Sequence, residues 1–332
     1  MGPMARPRFL PDNFSLAILT CVLVASVFPC RGEVADAFDW LTTLAIALLF
    51  FMHGAKLSRE AVLQGLIHWR LHLLVFGCTF VLFPVLAVLF GPLLRMLLGE
   101  HLYQGMIFLC LLPSTVQSSI AFVSLARGNV AAAVCSAAGS SLLGIFITPL
   151  LAAFLMDGQV TGATAQGSQL HAVGTIVVQL LLPFIAGQVA RCWIGEWVGR
   201  NKSWLVYLDQ SSILLVVYTA FSSAVVEGIW HHVPLSSLLV LVLVCALLLA
   251  LVLGITSLAG RWLGFSVPDR ITILFCGSKK SLATGVPIAK VLFPTSSIGL
   301  IILPIMIFHQ IQLMVCSLIA QRLARRPMAD DE

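Results

Sequence analysis

Apolar runs of about 20 residues recur along this chain roughly every 30 positions, and this recurrence is its strongest structural constraint. A helix rises about 1.5 Å per residue, so each run can cross the ~30 Å hydrocarbon layer of a bilayer while satisfying its own backbone. Taken between charged or Gly/Pro breaks, the runs fall near 14–30, 38–55, 71–94, 104–125, 130–155, 172–190, 210–226, 235–258, 271–292 and 297–319. The pattern predicts an all-α polytopic membrane protein with ten transmembrane helices. Of 332 residues, 59% are apolar and 10% charged, against about 25% charged in a soluble domain, which leaves no room for a large extramembrane domain. The net charge of +5 is not interleaved with aromatics on a soluble face, so nucleic acid is not an expected partner. Nine cysteines stand singly, without C-x-x-C or histidines at zinc spacing, and predict neither a disulfide framework nor a metal site.

Charge sets the orientation. Arg6 and Arg8 precede the run Phe14 to Phe28, but Val27-Phe28-Pro29-Cys30 has neither signal-peptide cleavage spacing nor a lipid-attachment box, so the run is read as the first span. With the N-terminus inside, fourteen of nineteen Lys and Arg fall in inner segments, Arg31, Arg95 and Lys290 fall outside, and Lys279 and Lys280 lie within a span. All seven tryptophans fall at span ends or in connections, at headgroup level. The expectation is a multi-pass protein of the inner (plasma) membrane, surrounded by lipid, with both termini cytoplasmic.

Ten spans divide into five and five, 1–155 and 156–332, and an odd number per half inverts the second half relative to the first. Each half carries a polar interruption in its fourth span: Leu112-Pro113-Ser114-Thr115-Val116-Gln117-Ser118-Ser119, and Cys276-Gly277-Ser278-Lys279-Lys280-Ser281. Such runs are costly in hydrocarbon unless they face protein, water or ligand. Pro113 removes a helical N–H and Gly277 lowers the cost of leaving the helix, so both spans are expected to break there and expose carbonyls and N–H groups at membrane depth. The competing readings are that the hydroxyls only join helices and that the lysines snorkel to an interface. Lys279 and Lys280 lie near mid-span with no Asp or Glu at that depth, so carbonyls, hydroxyls, water or a bound anion must compensate them.

Weaker candidates accompany these. Ser136, Ser140 and Gly144 recur every four residues and read as a close-packing stripe. His309, Gln310 and Gln312 make the tenth span polar, for pathway lining or for interhelical hydrogen bonding. His53 and Lys56 read as an interfacial anchor, and Glu227, His231 and His232 as a solvated cluster. Gly277-Ser278-Lys279-Lys280-Ser281 is not a phosphate loop, since Lys280 follows no Gly and no strand precedes it.

On these stretches, together with Ala126-Arg127-Gly128-Asn129-Val130-Ala131 and Phe275-Cys276-Gly277-Ser278-Lys279-Lys280-Ser281-Leu282-Ala283, the chain resembles the bile acid:sodium symporter superfamily, and most closely its bacterial and vertebrate subgroup with a Gly-Ser-Lys-Lys-Ser ninth helix. The resemblance implies a panel of spans one, two, six and seven beside a core of three to five and eight to ten, with the fourth and ninth broken and crossing. It also implies organic-anion substrates. Against the sodium-coupled members, Phe275 stands in place of a glutamate, Ala133 and Ala137 in place of fifth-span oxygens, and Lys279 and Lys280 in place of amides, while Ser118 and Ser119 remain. A tethered ammonium can occupy a carbonyl site as sodium would.

The resulting expectation is a secondary active transporter, not an enzyme, moving a small organic anion by alternating access without established sodium coupling. Its pathway would be Pro113, Ser114, Thr115, Gln117, Ser118, Ser119, Gly277, Ser278, Lys279, Lys280, Ser281, His309 and Gln310. No cofactor is expected, and sodium or a proton is the candidate coupling ion. Sodium symport, a membrane sensor and a hydrolase pairing Ser278 or Ser281 with a lysine are the alternatives. The sequence does not set the oligomeric state.

Overall fold

The computed structural model describes residues 13–56, 68–156, 169–226, 228 and 234–326. Arg6, Arg8 and the cluster of Glu227, His231 and His232 lie outside the described residues. The described residues are helical with no strand among them: α1 (Asn13–Val27), α2 (Glu33–Lys56), α3 (Trp69–Leu89), α4 (Gly91–Leu111), α5 (Gln117–Leu125), α6 (Val130–Leu155), α7 (Gln169–Arg200), α8 (Lys202–Val226), α9 (Leu235–Trp262), α10 (Val267–Gly277), α11 (Leu282–Leu292) and α12 (Thr295–Ala324). Six described segments are long and apolar enough to cross a membrane: α2, α3, α6, α9, and most of α8 and α12. The third apolar run is shorter than expected, because α3 ends at Leu89 and Gly91-Pro92 starts α4, which bends at Gly99 (φ 73°).

The helices pack in two groups. In the first, α1 lies on α8, and α2 on α7 and α8. A methyl group added to Gly54 would collide with Phe184 O and one on Gly187 with Phe51 O, so α2 and α7 touch backbone to backbone. Thr42 and Thr219 share a hydrogen bond of 2.9 Å between α2 and α8. At the far end of α2, Lys56 is not a simple interfacial anchor: it forms a 2.6 Å ion pair with Asp209 of α8, and His53 Nδ1 lies 2.8 Å from Leu49 O. In the second group, α3, α4, α5 and α6 pack with α9, α10, α11 and α12 around a buried core that includes Phe83, Phe108, Phe275 and Phe308. The two groups meet where α8 contacts α11 and α12, and where α7 contacts α6 and α11.

The middle of α3 is a wide turn. Pro84 has no N–H to give and its ring crowds the carbonyl four residues back, and Cys78–Leu82 relaxes into a π-helix in which Phe83 N–H donates to Cys78 O. In that register the donor for Thr79 O would be residue 84, a proline, so Thr79 O is left to find another partner.

Candidate functional site

Helix hydrogen bonding stops at Leu111 and resumes at Gln117, and stops again at Gly277 and resumes at Leu282. The two interruptions lie against each other. Ser281 N–H donates to Pro113 O (2.8 Å), Ser114 Oγ to Cys276 O (2.6 Å), and Ser119 Oγ to Phe275 O (3.2 Å). Gly144 leaves room for the Pro113 ring and Gly285 for Leu112; a Cβ at Gly144 would stand 2.7 Å from that ring.

Four successive carbonyls at the end of α4, from Leu109 to Leu112, can be followed to a donor. Leu109 O accepts from Leu112 N–H (3.3 Å), and Leu111 O from Thr148 Oγ1 (2.9 Å). Cys110 O and Leu112 O accept from Lys280 Nζ at 2.8 and 2.7 Å, and the same ammonium donates to Thr79 O, freed by the α3 π-turn, at 2.8 Å. An ammonium has three N–H groups, and Lys280 places one on each carbonyl. The C-terminal end of α4 carries partial negative charge, which favours a cation there, and the Phe83 ring centroid lies 4.1 Å from Nζ. Lys280 is fully buried, so charge-assisted bonds of about 1.5–3 kcal/mol each stand against a desolvation cost of several kcal/mol. Nothing of this ammonium is left for a substrate.

Lys279 is placed differently, though it is also fully buried. Its Nζ donates to Ser118 Oγ (3.3 Å) and lies 4.2 Å from the Phe122 centroid and 5.8 Å from that of Phe275. The aromatic residue at 275 thus faces an ammonium. Ser118 Oγ in turn donates to Thr115 Oγ1 (2.8 Å), which shares a 2.9 Å bond with Ser119 Oγ. Gln117, the first residue of α5, is exposed.

The remaining expected residues serve the backbone or stand apart. Ser278 Oγ donates to Leu274 O (2.6 Å), and Ser281 Oγ caps α11 by accepting from Thr284 N–H (3.1 Å), so the hydroxyls a Ser/Lys hydrolase would use are bound within the helices. His309 Nδ1 lies 3.0 Å from Gln312 Nε2, while Gln310 Nε2 is buried with no partner among the described residues.

Thr79 and Thr148 carry no signal in the sequence, while Ser136, Ser140 and Gln312 do more than their spacing showed. Ser140 belongs to more than a packing stripe, because its Oγ accepts Ser114 N–H (2.9 Å), and Ser136 Oγ lies 2.7 Å from His72 Nδ1. Thr148 and Thr79 act through one hydroxyl and one carbonyl. Gln312, fully buried, holds the Lys280 peptide by both its N–H and its C=O. A small-polar stripe facing a proline in a neighbouring span is the signal that could have marked Ser140.

An all-helical membrane protein with two interrupted helices meeting in its interior is the architecture of a membrane transporter. The sequence pattern of the SBF-like CPA transporter family matches residues 12–325, and the chain belongs to that family. It is 62% identical to the uncharacterized protein PA2026 of Pseudomonas aeruginosa over 97% of this chain and 96% of that one. It is 59% identical to the Escherichia coli protein named "Putative symporter YfeH", over 95% and 93%. To the rat sodium/bile acid cotransporter 7 it is 31% identical over 94% and 92%. The chain is thus a transmembrane transporter of the bile acid:sodium symporter superfamily.

Proposed function

We propose that this protein moves a small organic anion across the inner membrane by alternating access, and that the ammonium of Lys280 replaces a coupling cation. The observation that carries this reading is the cage of Thr79 O, Cys110 O and Leu112 O at 2.7–2.8 Å around Lys280 Nζ, a carbonyl site of the kind a monovalent cation fills. A coupling ion must leave in one state and return in another; a tethered ammonium stays. Proton coupling, or facilitated transport, then takes precedence over sodium symport, with Lys279 and the Ser118–Thr115–Ser119 hydroxyls beside the anion path.

Ten spans in two inverted repeats, 1–155 and 156–332, with both termini cytoplasmic, are part of this proposal. The order of a long helix, a broken one and another long one in α3–α6 recurs in α9–α12, which supports it. The α1, α2, α7, α8 group would be the panel and the rest the core. The bile-acid names of the vertebrate relatives support an organic anion as the cargo class.

The test has two stages. Purified protein is screened for thermal stabilisation by organic anions with and without sodium, since a ligand of the native state raises stability by mass action. A stabilising anion is then offered to proteoliposomes under a sodium or a pH gradient imposed alone. Uptake indifferent to sodium is expected. Strict dependence on sodium with no response to pH would overturn the coupling assignment, and binding without uptake would make the protein a sensor.

A further inference from the structure

The two half-helices that leave the interruptions are exposed to different degrees. Along α11 no residue is exposed, and it packs on α8 and α7 of the first helix group as well as on α12 and α6. Along α5, Gln117, Ala121, Ser124 and Leu125 are exposed, and its main packing partners, α6, α10 and α12, all belong to its own group. Exposed Gln117 and Ser124 are poorly suited to hydrocarbon and call for water beside α5. By the charge count, α11 runs from the interruption to the outer face and α5 to the inner face. In that orientation the outer half-helix is the covered one and the inner half-helix the exposed one.

At the covered end stands one ion pair between the groups. Lys290, in the last turn of α11, places Nζ 2.6 Å from Asp39 Oδ1 in the outer part of α2, with 9% and 44% of the two side chains exposed. The other described ion pair that joins distant helices, Lys56–Asp209, lies within the first group and constrains no movement between the groups. Lys290 is also one of only three basic residues on the outer side, so its charge is not explained by the orientation of the chain. We infer that Asp39 and Lys290 form the latch that ties α2 to α11 and closes the outer entrance. This inference rests on the alternating-access reading for its purpose, while its geometry stands independently. When the groups move apart on the outer side, the pair breaks and both charges meet water, so it can favour the closed state without forbidding the open one.

The test uses a reporter at Ala289, fully buried on α11 beside Lys290. In intact cells, an Ala289→Cys variant is treated from outside with a membrane-impermeant maleimide, and labelling is compared with the parent lacking that cysteine. Added Asp39→Asn, or separately Lys290→Met, is expected to raise labelling about fivefold, the scale of one partly exposed ion pair. The exchange Asp39→Lys with Lys290→Asp is expected to bring it back down. Unchanged labelling in both single variants overturns the latch, as does a rise that the exchange fails to reverse. Labelling needs no substrate, so absent anion uptake counts against the transporter reading alone and unchanged labelling against the latch alone.

Discussion

Gln312 grips the peptide of Lys280 from both sides: Lys280 N–H donates to Gln312 Oε1 and Gln312 Nε2 donates to Lys280 O, each at 2.9 Å. A side chain of α12 thereby supplies what a helix would have supplied at the interruption, and it sets the direction in which the Lys280 side chain leaves.

Replacing Gln312 by Leu strands a buried donor and a buried acceptor, each costing about 1–3 kcal/mol. Stability is expected to fall by roughly 2–6 kcal/mol in denaturant unfolding. Gln310→Leu, at a side chain whose Nε2 makes no hydrogen bond among the described residues, is the comparison and is expected to stay within about 0.5 kcal/mol.

Truncating Lys280 empties a carbonyl cage instead of a ligand pocket. Lys280→Ala is expected to lose about 3–5 kcal/mol, as when one partner of a buried charged contact is removed. Methylammonium at millimolar concentration should recover part of the thermal midpoint in that variant and leave the parent untouched. Sodium should do the same if the cage admits a metal ion. No response to either cation would mean that the cage closes up and is not a cation site.

Lys279 makes one hydrogen bond and faces two rings, so Lys279→Gln should cost less, under about 2 kcal/mol. The same variant is expected to lose the thermal shift given by a bound anion. A full shift in Lys279→Gln would remove this residue from the anion path.

Gly144→Val tests the crossing by volume. The nearest atoms of Pro113 would lie 2.7 Å from the new Cβ, an overpacking expected to cost about 1–3 kcal/mol and to displace the α4 end that Lys280 caps. Gly254→Ala on α9, with open space around the added methyl, should be close to neutral in the same melt.

Hydrophobic pattern alone carried much of the architecture. Long apolar runs must be helices in lipid because no water can satisfy their backbone, and two runs interrupted by Pro113 and Gly277 with polar neighbours could not continue as helix. The helices stop at Leu111 and Gly277, as those residues demand. Apolarity does not show the boundary at Phe90, since no charge separates the two helices there; Gly91-Pro92 is the local signal that marks it.

The partition of the two lysines was not legible in the chain. Lys279 and Lys280 are identical and adjacent, and only the tertiary structure sends one to the carbonyls of Thr79, Cys110 and Leu112 and the other to Ser118 and two aromatic rings. Those carbonyls come from residues up to 201 positions away, and one of them is free only because Pro84 opens a π-turn in a different helix. Sequence determined that charge lies in the membrane and that the backbone must break beside it, since both follow from residue type and local spacing. Which carbonyl meets which ammonium, and which half-helix is covered by its neighbours, depends on contacts between segments far apart in the chain, and these exist only once the helices have packed.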